Sequence, residues 1–270
     1  RLGKGLLPNT PITEDRIILL TQILNEYTEV IKEHNCDRTI VTATNAMRIA
    51  SNSKEIIELV KNNFNLDINI ISGDEEARLS FLGASSTLGN HEPRTVIDIG
   101  GGSTEIIYGT PNEILFKHSF QVGVVSLTEK YLSKFPYPIS TFGEIEIFFN
   151  KTFSLIETNI PKGITTLAVA GTPTTLSGIF QNLKKYDEDK IEGSILEADV
   201  IKTLSNVFAS LDGGQIKDLF RKIVKGREDV IFAGSLILDY LVRTLETPNI
   251  IVSSKGIRYG SIIDYVDKLK

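Results

Sequence analysis

Thr95-Val-Ile-Asp-Ile-Gly-Gly-Gly-Ser-Thr-Glu-Ile-Ile-Tyr108 decides how the rest of the chain is read. Two β-rich apolar runs flank Gly100-Gly101-Gly102-Ser103, the pattern of a strand, a tight turn and a returning strand. Consecutive glycines permit positive φ and let bare N–H groups approach a ligand. Asp98 stands before the turn and Glu105 after it. Two readings stand on these residues alone. One is a loop of N–H donors and a hydroxyl between two carboxylates, suited to a phosphate bridged to a divalent metal. The other is an ordinary hairpin whose acids face water.

Composition narrows the setting. With 270 residues, 41% hydrophobic and 23% charged, the chain is expected to bury a large core and form two domains. A net charge of −5 argues against a nucleic-acid partner, and a polyanionic substrate would then need metal ions and a local set of Arg and Lys. No run has the length of a membrane-spanning helix and no basic-then-apolar leader opens the chain, so a cytoplasmic protein without a membrane partner is expected. The one cysteine, Cys36, excludes an internal disulfide and a cysteine zinc site and is read as a small buried residue. His34, His91 and His118 show no metal-ligand spacing.

N-terminal to the glycine turn, strand and helix alternate. Apolar residues at Leu20, Ile23, Leu24, Tyr27 and Ile31 predict an amphipathic helix over Ile12 to Glu33. A strand at Thr39–Ala43 leads through Thr44-Asn45 into a short helix carrying Arg48, and Asn52 or Ser53 caps another helix. A strand at Leu66–Ile71 runs into a helix from Asp74 to about Leu88, so this third is α/β with parallel strand pairs. From Arg94 an antiparallel meander is expected: Val96–Ile99, Glu105–Tyr108 and Ile114–Val122, with Gly109-Thr-Pro-Asn112 as its second turn. Helices at Ser126–Leu132 and Phe142–Glu157 follow, then a buried strand at Thr166–Ala170 that ends in Gly171-Thr-Pro-Thr-Thr175 and a helix through Leu183. Lys184–Glu192 reads as a solvated crossover, and two or three helices precede a last strand, Ile250–Ser253, and a helix from Ile257. The domain boundary is placed in Gly89-Asn-His-Glu-Pro93, giving domains 1–92 and 93–270.

Four strand ends carry polar loops: Thr44-Asn45, Ser72–Arg78, the Gly100 turn and Gly171-Thr172. Ligands gather at such ends, and helix N-termini there favour anions. In Gly171-Thr-Pro-Thr-Thr-Leu176, Pro173 is placed at the first helical position, which also suits a plain helix cap. Asp74, Glu75 and Glu76 stabilise a first helical turn, yet Glu75 and Glu76 point about 100° apart, so one serves the cap while the other faces a cleft. Such a carboxylate is a reasonable general base for water. Arg48, Arg78, Arg227, Lys255 and Arg258 are candidates to hold phosphate.

In order along the chain, these stretches resemble the exopolyphosphatase / guanosine pentaphosphate phosphohydrolase family of the actin–Hsp70–sugar-kinase superfamily. The resemblance rests on Ala43–Arg48, Ile71–Leu79 with Gly83, Val96–Glu105, Val122-Gly123 with Leu127-Thr-Glu129, Gly171–Leu176, Gly226-Arg227 with Asp229 and Ala233-Gly234, and Val252-Ser253 with Gly256-Ile-Arg258 and Gly260. It implies two ribonuclease-H-like α/β domains with mixed sheets flanked by helices and an interdomain cleft holding Mg2+ and phosphate. It implies release of terminal phosphate from inorganic polyphosphate or guanosine pentaphosphate to water, and a homodimer. By position, Glu76 resembles the base that activates water, and Asp98 and Glu105 the metal-associated acids. Gly100, Gly101, Gly102, Ser103 and Thr104 resemble the phosphate contacts, Arg48 a substrate-holding residue, and Gly171 and Thr172 a nucleotide or phosphate contact. The family's first phosphate loop, Asp-x-Gly-Ser/Thr, is expected upstream of Arg1-Leu-Gly, and a short form without the extra C-terminal domains of long members is expected. Two other functions remain open: a non-catalytic guanosine-phosphate-binding regulator and an acetate- or sugar-kinase-like phosphotransferase.

Overall fold

A computed structural model describes residues 2–3, 5–89, 92–110 and 113–269. Asn90 and His91, in the expected boundary stretch, and Pro111 and Asn112, in the second meander turn, lie outside the described residues, as does Arg1. The chain forms two compact units, Arg1–Glu76 and Ala77–Lys270. The division falls inside one helix rather than in the Gly89–Pro93 stretch. The reason is packing: beyond Glu76 that helix lays Ala77, Phe81 and Ala84 against Val96, Ile107, Leu167 and Val169 of the larger unit's sheet.

The smaller unit runs α1 (Glu14–Glu33), β1 (Val41–Ala43), α2 (Asn45–Ile49), α3 (Ser53–Phe64), β2 (Ile68–Ile70) and the first turn of α4 (Gly73–Ser85). β1 and β2 pair in parallel, Val41 opposite Ile68, as the alternating pattern predicts. Ile12, Leu24, Met47, Ala50, Ile56 and Val60 form its buried core. Of the stripe expected on α1, Leu24 is buried, whereas Ile23 and Tyr27 stay exposed. Asn52 stands at the N-cap of α3 but does not cap it with its side chain. Its amide instead clamps Ile12, accepting from the N–H at 2.9 Å and donating to the carbonyl at 3.0 Å. Cys36 is exposed, contrary to the buried reading, because it falls past the end of α1.

The larger unit continues with β3 (Arg94–Ile99), β4 (Thr104–Thr110), β5 (Glu113–Phe120), α5 (Val124–Tyr131), α6 (Ile139–Thr152), α7 (Leu155–Asn159), β6 (Thr166–Val169) and α8 (Gly171–Phe180). Then come α9 (Glu188–Ile191), β7 (Ile195–Glu197), α10 (Ala198–Ala209), α11 (Gly213–Phe220), α12 (Ile231–Thr244), β8 (Asn249–Val252) and α13 (Ile257–Asp267). The sheet has the order β5-β4-β3-β6-β8-β7. β3, β4 and β5 form the expected antiparallel meander, β6 and β8 run parallel to β3, and β7 is antiparallel to β8. β3 and β6 bury apolar residues on both faces because both are covered. Ile97, Ile99 and Ala168 join the large core that includes residues of α5, α6, α8, α10 and α12, while Val96 and Leu167 face α4.

Some elements depart from the sequence reading. The helix expected over Phe142–Glu157 breaks after α6, where Phe153 is fully buried, stacked on Tyr240 and in tilted contact with Phe149. The crossover Lys184–Glu192 contains α9, which buries Ile191. β7 was not expected; only Leu196 of its three residues is buried, too short a signal for a period-2 pattern.

Two devices fix α4 over the sheet. Arg94, fully buried on β3, donates to the Ser85 carbonyl at the helix C-terminus (3.2 Å) and to the Glu92 carbonyl (2.8 and 3.0 Å). A cation there meets the negative end of the helix dipole. On its other side, α4 meets α13 backbone to backbone. A Cβ at Gly260 would lie 1.8 Å from the Leu79 carbonyl oxygen, and one at Gly83 would lie 2.3 Å from that of Gly256.

Candidate active site

In the smaller unit, Arg48 and Glu76 come together. Arg48 leaves α2 just after β1, and Glu76 lies in the first turn of α4 just after β2, so parallel pairing brings both loops to one end of the pair. Arg48 Nη1 donates to Glu76 Oε2 at 2.8 Å and to the Ile71 carbonyl at 2.9 Å, with both side chains less than a quarter exposed. The helix cap is Ser72, whose Oγ accepts from the Glu75 N–H at 3.1 Å. Glu76 is the acid turned to the arginine.

In the larger unit, the C-terminal ends of β3, β6 and β8 are adjacent and point the same way. The loops after them are the glycine turn, Ala170-Gly171 and Ser253-Ser254-Lys255. At the glycine turn, the Gly100 N–H donates to the Ser103 carbonyl at 2.9 Å. None of its three glycines is among the described residues with positive φ. Close approach is what the local geometry requires. The Gly100 and Gly101 carbonyls accept the first free N–H groups of α5, from Val124 (3.0 Å) and Val125 (2.8 Å), and a Cβ on Gly123 would lie 2.5 Å from the Gly100 oxygen. With its carbonyls seated on α5, the turn leaves the N–H groups of Gly101, Gly102 and Ser103 without an acceptor among the described residues.

Beside the turn, Asp98 and Glu105 are cross-strand partners in the β3–β4 ladder and so share one face of the sheet. Residues opposed in this way stand with Cβ atoms about 4.5–5.5 Å apart, and like charges there repel. Glu105 is only 1% exposed. Ser80 of α4 donates to Asp98 Oδ2 at 2.5 Å, and Ser119 of β5 donates to Glu105 Oε1 at 2.6 Å. Thr104 is turned away, its hydroxyl donating to the Val122 carbonyl at 2.6 Å. No group of three or more His, Cys, Asp or Glu suited to a metal occurs among the described residues. Two opposed carboxylates fit Mg2+, which takes one or two protein carboxylates and fills its octahedron with water and substrate phosphate.

The α8 loop is strained. Ala170 holds φ 72° and ψ −160°, a region nearly reserved for glycine, and α8 starts directly after it at Gly171, two residues ahead of Pro173. Arg227 lies over this helix start, its Nε 2.4 Å from where a Gly171 Cβ would stand. Thr172 is buried against Gly234 of α12. Of the other basic candidates, Arg78 pairs with Asp264 at 2.6 Å, and Lys255 lies 3.6 Å from Glu192.

Glu192 escaped the sequence reading because it ends a run of mixed charges. It ties the loop after β8 to the turn after α4, accepting from Thr87 Oγ1 (2.7 Å), the Ser254 N–H (2.7 Å) and Ser254 Oγ (2.8 Å). Burial opposes its charge, but these donors and Lys255 outweigh burial and hold the carboxyl below its ordinary value. A depressed carboxyl stabilises the fold above the unfolded value of about 4.3, and that stability is lost as pH falls through the lower folded value. On acidification below about pH 4.3, the wild type should lose more of its melting temperature than Glu192→Gln does. Equal losses would remove Glu192 from the acid response.

The Ppx/GppA phosphatase family matches residues 1–269. The chain belongs to that family. The Ppx/GppA member of Aquifex aeolicus superposes with a TM-score of 0.85 at 30% identity, covering 100% of this chain and 87% of that one. An exopolyphosphatase of Cytophaga hutchinsonii superposes with a TM-score of 0.90 at 25% identity, covering 100% and 88%. Among curated relatives, Exopolyphosphatase 2 of Mycobacterium tuberculosis is 28% identical over 254 residues, 91% of this chain and 79% of that protein. A bifunctional 3-dehydroquinate synthase/phosphatase of Fusobacterium nucleatum is 30% identical over 278 residues. The chain spans 41% of the length of that relative. As a Ppx/GppA phosphatase, the chain has the α/β fold with mixed sheets that the resemblance implies, and no described helix is long and apolar enough to cross a membrane.

Proposed function

We propose that this Ppx/GppA phosphatase is a Mg2+-dependent phosphohydrolase that releases terminal phosphate from inorganic polyphosphate, with guanosine pentaphosphate as a second substrate. The observation that carries the reading is the Asp98–Glu105 pair, opposed and partly buried beside a turn with N–H groups available to an anion. Likeness to exopolyphosphatases supports the substrate class.

In this reading Glu76 accepts a proton from water as the water oxygen bonds to the terminal phosphorus. The bridging P–O bond breaks, and the shortened chain leaves on its own oxygen. Arg48 orients the Glu76 carboxylate through the 2.8 Å contact, in addition to any hold on substrate. The N–H groups of Gly101, Gly102 and Ser103 donate to the transferring group, whose reaction needs mainly positioning and charge neutralisation. Asp98 and Glu105 would hold Mg2+, which would supply positive charge to offset that of the substrate phosphates. Gly171 and Thr172 are assigned to a more distant phosphate or a nucleotide, with Arg227 beside them.

The test is phosphate release from polyphosphate and from guanosine pentaphosphate, with Mg2+ and with EDTA. Release should require Mg2+, need no acceptor other than water, and shorten polyphosphate from its ends. Binding of guanosine pentaphosphate without turnover of either compound would instead make the chain a regulator.

A further inference from the structure

We infer that Ser80 and Ser119 are positioning residues that set the planes of the Asp98 and Glu105 carboxylates for a divalent cation. The inference rests on the metal role proposed above for those two acids.

The sheet brings the parts together in one row. In the ladder, Ser119 of β5 is directly opposite Glu105 of β4, which is directly opposite Asp98 of β3. Directly opposed antiparallel residues project to the same face, so the row presents a hydroxyl and two carboxylates side by side. The second hydroxyl arrives from above: Ser80 of α4, fully buried, reaches Asp98 Oδ2 at 2.5 Å. Each acid thus receives its own donor from a different element, α4 for one and β5 for the other.

A helical serine ordinarily bonds back to a carbonyl of its own helix or faces water. Ser80 does neither; the partner its hydroxyl has is Asp98. Its place on α4 is on the side that carries Ala77, Phe81 and Ala84 onto the sheet, where a hydroxyl is costly to bury unless it is bonded. An alanine would fill the same space at no polar cost. What the hydroxyl adds is direction. The last torsion of Asp and Glu is broad, so an unheld carboxylate samples many planes. A donor on one named oxygen narrows that range, and a cation with strict octahedral geometry is sensitive to it. Groups that hold a metal ligand in this way typically account for about 10–100-fold in metal affinity.

The test uses the full chain and measures Mn2+ binding by electron paramagnetic resonance, alongside the Mg2+ dependence of phosphate release and the melting temperature. Ser80→Ala and Ser119→Ala should each weaken Mn2+ binding about tenfold or more and move the Mg2+ requirement up by a similar factor. Melting temperature without metal should change little. Ser119→Thr, which keeps the hydroxyl on a strand that tolerates β-branching, should restore binding to within about threefold. Asp98→Asn is the control for the underlying reading. If Asp98→Asn weakens Mn2+ binding and neither alanine variant does, the acids hold metal but the serines do not position them. If Asp98→Asn leaves binding unchanged, or the wild type binds no Mn2+, the metal reading fails and the inference with it. Should Ser80→Ala fail to fold, Ser119→Ala and Ser119→Thr decide, since Ser119 is only partly buried. Loss of binding that Ser119→Thr does not restore would make the role structural and overturn the inference.

Discussion

Glu76→Gln should lower kcat for phosphate release by roughly two to four orders of magnitude, the usual worth of a positioned general base. That corresponds to about 3–5 kcal/mol of transition-state stabilisation. Glutamine keeps the shape of the side chain and an oxygen that accepts from Arg48 Nη1, now 2.8 Å from Glu76 Oε2. It cannot take a proton from water. KM should therefore change by no more than about threefold, since an interaction used only in the transition state is what has been removed. Removing Arg48 instead leaves the acid present but unheld, so Arg48→Ala should cost less than Glu76→Gln, and the double variant little more than Glu76→Gln alone. Steady-state kinetics on polyphosphate measures all three. A Glu76→Gln enzyme with more than a tenth of wild-type kcat would place the base elsewhere.

Gly260→Ala should destabilise the larger unit by about 2 kcal/mol, read as a lower urea midpoint at unchanged slope. The added methyl would stand 1.8 Å from the Leu79 carbonyl oxygen, a backbone atom that moves only if α4 moves. Alanine's better helix propensity, worth up to about 1 kcal/mol, offsets part of that cost. Gly143→Ala is the matching control. Gly143 lies in α6 with nothing within 4 Å of its added methyl, so it should gain a few tenths to about 1 kcal/mol. Because α4 carries Ser80 to Asp98, Gly260→Ala should also raise the Mg2+ requirement. A midpoint no lower than wild type would mean that the two helices separate without cost.

Much of the architecture was legible because each element carries its own period or its own breaker. The runs around Gly100-Gly101-Gly102-Ser103 are apolar and β-branched, and the meander they predict is present. The alternation before residue 76 predicts the parallel pair of β1 and β2. Failures came where a distant partner outweighs local chemistry. Asn52 has the residue type of a cap, yet its amide is drawn to the backbone of Ile12, 40 residues away. The break after α6 comes from the aromatic packing of Phe153, and the division inside α4 from the sheet that claims Ala77 onward.

The candidate site divides the same way. Sequence by itself determined which residue types stand at which strand ends: two acids about a glycine turn, an acidic first turn on α4, and an arginine after β1. That follows from spacing along the chain, which survives any packing. Spacing left open which of Glu75 and Glu76 turns away from the cap, and the tertiary structure pairs Glu76 with Arg48 while Ser72 accepts from the Glu75 N–H. It also had no means of finding Ser80, Ser119 or Glu192. Each is an ordinary polar residue whose partner lies on another element, 18, 14 and 62 residues away respectively, and ladder register and helix packing alone bring them into contact.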